Sequence, residues 1–213
     1  MLCSGLMSRA FFLFFQFVIV IFALSVHEAA HAWMANRLGD PTAKFQGRVT
    51  LNPLAHIDWI GTVLLPLFLV WRGLPAFGWA KPVPFNPMNL KNPRRDGMLI
   101  AIAGPASNML TAATAIVVFL VLKSAGLLTS APLVTLLLYL ILIPIYLAVF
   151  NLIPIPPLDG SGVLEGFLRG DALSAYEEIK PYGFLILLAV IYFGLLDFIF
   201  QPVMKVVMSI LGF

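Results

Sequence analysis

Residues 25–33 read SVHEAAHAW and lie inside one of the most apolar stretches of the chain. His27 and His31 stand four residues apart, so on a helix they share one face about a turn apart. Two imidazoles so placed can grip one tetrahedral zinc. Glu28 projects about 100° further round such a helix, near enough to reach a water held at the metal without crowding the ligands; that is the mechanical content of H-E-x-x-H. Ala29, Ala30 and Ala32 are small and let a second helix approach. The bland use of three such residues is mutual hydrogen bonding within a bundle. Ionisable groups inside a membrane are costly, however, and mark function, and two of the chain's three histidines fill this motif.

A catalytic zinc takes three protein ligands and keeps one position open for water. The lone Cys3 excludes a cysteine cage and an internal disulfide. His56 and a few carboxylates remain. Asp159 stands first among them: it follows NLIPIPP at the end of an apolar run, where unwound backbone can turn a carboxylate inward. Gly160 and Gly162 clear the approach. The same Asp159 could instead cap a helix starting near Ser161, and the residues alone leave both uses open. Asn108 and Asn151 are amides within apolar runs. Either can stabilise a tetrahedral oxyanion or make an ordinary interhelical hydrogen bond. His56, in NPLAHID, either helps to shape the site or pairs with Asp58 at the membrane interface.

The elements that must position these residues are apolar. The 213 residues are 61% hydrophobic and 11% charged, against about 25% charged in a soluble domain, and the mean hydropathy is +0.97. Such a chain is an integral, multi-pass membrane protein, expected to be a single membrane-embedded domain over 1–213 with the lipid bilayer as its first partner. The pI near 9.2 is no sign of a nucleic-acid partner, because membrane proteins gather Lys and Arg in cytoplasmic loops.

The expected fold is all-α, with about four to five transmembrane helices, a re-entrant hairpin and short extended segments near the active site. The first run, about 9–38, imitates a secretory signal, with a cleavage site near ALS. It is long for one, and cutting there would strand HEAAH at a new N-terminus, so it reads as a retained span. The run 57–77 holds Gly61, Pro66, Gly73 and Pro75. Basic residues flank it on both sides: Arg37, Lys44 and Arg48 before, Lys81, Lys91, Arg94 and Arg95 after. A re-entrant segment keeps both loops cytoplasmic. Spans are expected at 98–122, 133–150 and 184–200, with Pro202 breaking the last and 203–213 unplaced. HEAAH lies at the C-terminal end of the first run and Asp159 follows the C-terminal end of 133–150, so the two helices must run toward the same face. That again requires 57–77 not to cross. With hydrocarbon entry near Ala10, His27 lies about 26 Å along the helix at about 1.5 Å per residue, close to the far face of a core about 30 Å thick. The site is therefore expected near the cytoplasmic face.

HEAAH in one membrane helix followed by NLIPIPPLDG after a later one resembles the site-2 protease family of intramembrane zinc metalloproteases. GRVTLNPLAHID (47–58), GWAKPVPFNP (78–87) and AGPASN (103–108) are similar to stretches of bacterial and archaeal members, so the resemblance runs from about Ser25 to Ser161. It implies His27, His31 and Asp159 as ligands of one zinc per chain, Glu28 as catalytic base, Asn151 as oxyanion candidate and a transmembrane protein substrate cut in regulated intramembrane proteolysis, with a prokaryotic cell membrane as the setting. His56 and Asn108 remain accessory candidates. The chain has no room for the PDZ or CBS domains of some members, nor for a span before the HEAAH helix. The arginine that often follows Asp-Gly-Ser is Gly162 here.

Two functions compete on these residues: an endopeptidase, and a polytopic protein that binds or moves zinc without hydrolysis. Glu28 favours the first, since a transporter needs ligands but no base beside them. A substrate helix must unwind to be cut, and an extended substrate can pair with an exposed edge. KFQGRVTL (44–51) and AKPVPFN (80–86) are the segments expected to offer one.

Overall fold

The computed structural model describes residues 2–72 and 78–213, with side chains from residue 11 onward except Pro66 and Val70. It is all-α. The first helix, α1 (Leu2–Arg37), is apolar along most of its length and stops where Gly39 adopts φ 110°. The amides of Gly39 and Asp40 turn back to the carbonyls of Asn36 and Ala35, the hydrogen-bond pattern of a glycine-terminated helix. Then follow α2 (Thr42–Phe45), a π turn at Trp59–Leu64 running into α3 (Leu65–Trp71), and the long α4 (Pro93–Ser124). After α5 (Ala131–Asn151) come α6 (Asp159–Phe167), α7 (Asp171–Ile179), α8 (Gly183–Tyr192) and α9 (Asp197–Leu211). No strand occurs among the described residues.

Three of these helices are long and apolar enough to cross a membrane: Phe11–Arg37 within α1, α4 and α5. A bent pair at the C-terminus makes a fourth if counted as one span. Pro105 and Pro144 lie inside α4 and α5, a placement that membrane helices tolerate because neighbours satisfy the freed backbone groups. Leu110 and Val117 on α4 are 70% and 60% exposed, and a continuous apolar surface of this kind suits hydrocarbon rather than water.

The central helix is α4. It packs on α1, α5 and α6. It runs antiparallel to α1, because Ile100 faces His31 while Asn108 faces His27. Beyond that contact, Ala112, Ala115 and Phe119 of α4 meet Ile141 and Ile145 of α5 and Val207 and Leu211 of α9 in the largest buried apolar cluster.

Three expectations change. The run 184–200 is not one helix: α8 ends at Tyr192, Gly194 takes φ 67°, and α9 leaves at 64° to the preceding pair. Pro202 does not break the chain but lies inside α9, and residues 203–211 are the part of α9 that closes the core. The stretch 44–51 is not extended throughout, since Lys44 and Phe45 belong to α2. Asp40 accepts from the Thr42 amide and hydroxyl and so folds the chain into that short turn.

Within 57–77, residues 73–77 lie outside the described residues. The flanks are informative. Asp58 caps the π turn, accepting from the amides of Ile60 and Gly61. The Trp79 amide then donates to the Gly61 carbonyl at 3.2 Å, the Thr62 hydroxyl to the Trp79 carbonyl at 2.8 Å, and the Lys81 amide to the His56 carbonyl at 2.9 Å. The chain that leaves at Thr62 is therefore back beside its starting point by Trp79.

Candidate metal centre

His27 and His31 project from one face of α1, as their spacing requires. Both are buried, 4% and 7% exposed. Their Nε2 atoms are 3.0 Å apart. The carboxylate of Asp159, first residue of α6, meets both: Oδ2 is 3.0 Å from His27 Nε2 and 3.3 Å from His31 Nε2. Asp159 makes no capping hydrogen bond; the residue preceding the helix is Leu158. Standing at a helix N-terminus favours its negative charge.

Glycines make the approach possible. A side chain at Gly104 of α4 would run into the imidazoles of His31 and His27. One at Gly160 would strike the carbonyls of Leu152 and Ile153, so the Asp159 turn can fold under the end of α5 only without it. Gly162 is less demanding, with the Ala101 side chain as its neighbour across α4.

The donor set fits zinc. Atoms about 2.0–2.1 Å from a tetrahedral ion stand about 3.3 Å from one another, and the three observed separations are 3.0 to 3.3 Å. His31 Nδ1–H donates to the Ile100 carbonyl at 2.7 Å, which leaves the Nε2 lone pair turned inward. Asp159 Oδ2 is buried and faces only these two rings, with no hydrogen-bond donor. Lone pairs and a carboxylate oxygen crowded together without donors are what a cation relieves. Among the described residues this is the group of His, Cys, Asp and Glu side chains that could hold a metal ion.

The centre opens on a cavity of about 1020 Å³, lined by Glu28 together with His27, His31 and Asp159, by Asn151 and Glu165, and by apolar side chains including Val83, Phe85, Met98 and Phe150. Residues 80–85 form one wall. Asn151 donates to the Leu147 carbonyl at 2.9 Å within its own helix. Asn108 does not line the cavity; it is fully buried with its amide 3.2 Å from His27 Nδ1. His56 is also buried, but its Nε2 meets the Thr50 carbonyl at 2.8 Å, and Asp58 is occupied by its cap. His56 faces a small separate pocket beside Leu24 and Ser25.

Two residues matter here that the sequence did not single out. Arg48 reads as one more basic loop charge, yet it is 3% exposed, and its guanidinium donates to the carbonyls of Ala55, Lys81 and Pro82. It ties the cavity wall to the loop before it. Burial lowers its pKa, and the nearby Glu28 charge acts the other way. Asp40 accepts from the Asn86 amide and the Asn89 side chain, both at 2.7 Å, and pins the far end of the same wall to α1. Burial would raise its pKa, but these bonds and those from Thr42 outweigh it and hold the carboxyl below its ordinary value. Arg48 lies in the stretch GRVTLNPLAHID, but neither residue's role follows from residue type or spacing; each acts through backbone brought near by folding.

Apolar crossing helices that bring an H-E-x-x-H pair and a distant carboxylate to one buried point define a membrane-embedded metalloprotease. Comparison with known proteins agrees. The profile of Peptidase family M50 matches residues 124–193. The "Putative zinc metalloprotease YwhC" of Bacillus subtilis is 34% identical over 192 residues, 88% of this chain and 84% of that protein. The "Putative zinc metalloprotease Rip2" of Mycolicibacterium smegmatis is 31% identical over 182 residues, 82% of this chain and 67% of the relative. The "Putative zinc metalloprotease Rip3" of Mycobacterium tuberculosis is 28% identical over 185 residues, but those cover only 39% of its length. No solved structure matches. The chain belongs to peptidase family M50, the site-2 protease family.

Proposed function

We propose that this chain is an intramembrane zinc-dependent endopeptidase that hydrolyses a peptide bond in or near a transmembrane segment of a membrane protein substrate. The observation that carries the reading is the convergence of His27, His31 and Asp159 on one point, with Glu28 lining the cavity that opens from it. His27, His31 and Asp159 hold one zinc. Zinc there supplies a Lewis acid that brings the pKa of water from about 16 toward 7 and polarises a carbonyl.

The chain's own groups do the rest. Glu28 takes a proton from the attacking water and passes it to the leaving amine. Asn151 faces the same cavity and, once its amide swings away from the Leu147 carbonyl, can donate to the developing oxyanion. The wall at 80–85 carries no regular structure; Arg48 holds the carbonyls of Lys81 and Pro82, so an unwound substrate segment pairs with the wall at Val83 and Phe85.

On the same reading, 57–77 re-enters the membrane rather than crossing it, and the site faces the cytoplasmic side of a prokaryotic cell membrane. The return of the chain from Thr62 to Trp79 supports this. So does the length of Trp59–Leu69, which at about 1.5 Å per residue reaches about 16 Å, half of a bilayer core. Single cysteines at positions 44 and 91, with Cys3 replaced, should label with a membrane-impermeant thiol reagent in inverted vesicles and not in intact cells. Labelling of the two from opposite sides refutes the hairpin.

The function itself is tested by comparing membrane proteomes of cells carrying wild-type protein or Glu28→Gln. One or more membrane proteins should accumulate uncut with the variant, whose purified form keeps its zinc. Unchanged membrane proteins with zinc retained would return the chain to non-hydrolytic zinc binding.

A further inference from the structure

The two histidines of the centre are each met from behind by α4. His31 Nδ1 faces a backbone carbonyl, that of Ile100. A carbonyl can only accept, so the His31 proton is on Nδ1 and its lone pair is on Nε2. His27 Nδ1 faces a side-chain amide, that of Asn108. An amide offers either an acceptor or a donor, depending on how it is turned, and oxygen and nitrogen are told apart only by the bonds they make.

We propose that Asn108 is the positioning residue for His27: its Oδ1 accepts from His27 Nδ1–H, fixing the tautomer and ring plane that present Nε2 to the metal. The inference rests on the zinc reading above. His27 Nε2 lies 3.0 Å from both His31 Nε2 and Asp159 Oδ2, so it is the ligand atom and the ring proton belongs on Nδ1. With the amide nitrogen turned toward Nδ1, two donors would face each other. In that orientation Oδ1 is also buried without any partner. A half-turn about the last side-chain bond exchanges the two atoms, so that His27 Nδ1–H meets an acceptor and Oδ1 gains a partner. No solvent can substitute, because Asn108 is 0% exposed.

The location is consistent with this task. Asn108 follows Gly104 by four residues, so both lie on one face of α4. Gly104 gives the imidazoles room, and Asn108, a turn further on, fixes one of them. Ile100 lies a turn before and fixes the other. One face of α4 thus supplies clearance and both outer hydrogen bonds to the histidine pair. The alternative is an amide that merely fills space between α1 and α4.

The test measures zinc affinity of the purified full chain by chelator competition, for wild type, Asn108→Leu and Asn108→Asp. Leucine keeps the volume and removes the acceptor; aspartate keeps the acceptor and removes the donor. Asn108→Leu should weaken zinc binding about 10- to 100-fold, the usual effect of losing an outer partner of a ligand histidine. Asn108→Asp should bind at least as tightly as wild type. Histidine ¹⁵N spectra should show a protonated Nδ1 at His27 in wild type and Asn108→Asp. Equal weakening or loss of fold in Asn108→Asp, or wild-type affinity in Asn108→Leu, overturns the proposal. Should Asn108→Leu fail to fold, the aspartate variant decides alone. Absence of zinc binding by wild type would instead overturn the metal reading beneath it.

Discussion

The histidines reach the centre from the body of a 36-residue helix, and the carboxylate reaches it from the first residue of a nine-residue one. The histidine side is held by regular structure: α1 fixes the spacing, and α4 lies antiparallel behind it with Ile100 and Asn108 against the rings. The carboxylate side is held by irregular backbone. The chain leaves α5 after Asn151 and turns through Pro154, Pro156 and Pro157. It then starts α6 with Gly160 pressed on the carbonyls of Leu152 and Ile153. One half of the centre depends on helix packing, the other on a turn that closes only with a glycine at 160. The difference says where each half is fragile.

The strongest way to break the comparison is to remove one ligand from each side. Asp159→Ala and His31→Ala should both abolish proteolysis and weaken zinc by more than about 100-fold, beyond the effect of an outer partner, as read by metal analysis after dialysis. Full zinc occupancy in Asp159→Ala would mean that another residue completes the site.

The two glycines sharpen it. Gly104→Ala places a methyl against imidazoles, which yield only by giving up their Nδ1 hydrogen bonds to α4, so zinc and activity should fall with a stability loss of about 1 kcal/mol, the low end of overpacking costs. Gly160→Ala places a methyl against backbone carbonyls that cannot yield. It should cost about 1–3 kcal/mol of stability and take the metal site with it. Equal stability losses in the two variants would contradict the contrast.

Asp40 has the smallest effect on the centre itself. Asp40→Ala removes an acceptor that the Asn86 amide and the Asn89 side chain share, and should cost about 1–3 kcal/mol with zinc affinity unchanged. Its folded pKa lies below the ordinary value. Its contribution is therefore complete above about pH 4 and is lost as pH falls through the depressed value. Denaturation curves of the variant should be flatter across that acid range than those of wild type.

The same contrast decides what could be read from the sequence. His27, Glu28 and His31 are legible because one helix carries them and helical geometry is fixed by spacing. The apolar helices are legible from composition, with α1, α4 and α5 ending within a few residues of the expected limits at 38, 122 and 150. Asp159 is not: ligand and cap are equally open on its residues, and only the family resemblance favours the ligand. Asn108 reads either as an oxyanion donor or as an interhelical hydrogen bond; the register between α1 and α4, which a sequence does not give, makes it the second and turns it to His27. Gly194 is a single glycine in an apolar run, a signal too weak beside the proline-and-glycine set of 57–77 to mark the bend between α8 and α9. Arg48 looks like a loop charge until folding brings the carbonyls of Ala55, Lys81 and Pro82 around it.

The central claim is that α1 and α6 share one zinc. Zinc-edge X-ray absorption on the purified wild-type protein tests it most directly. The account predicts one zinc per chain, nitrogen and oxygen donors only, at about 2.0–2.1 Å, with two imidazoles in the outer-shell scattering. A sulfur donor, a third imidazole or a single imidazole would contradict it.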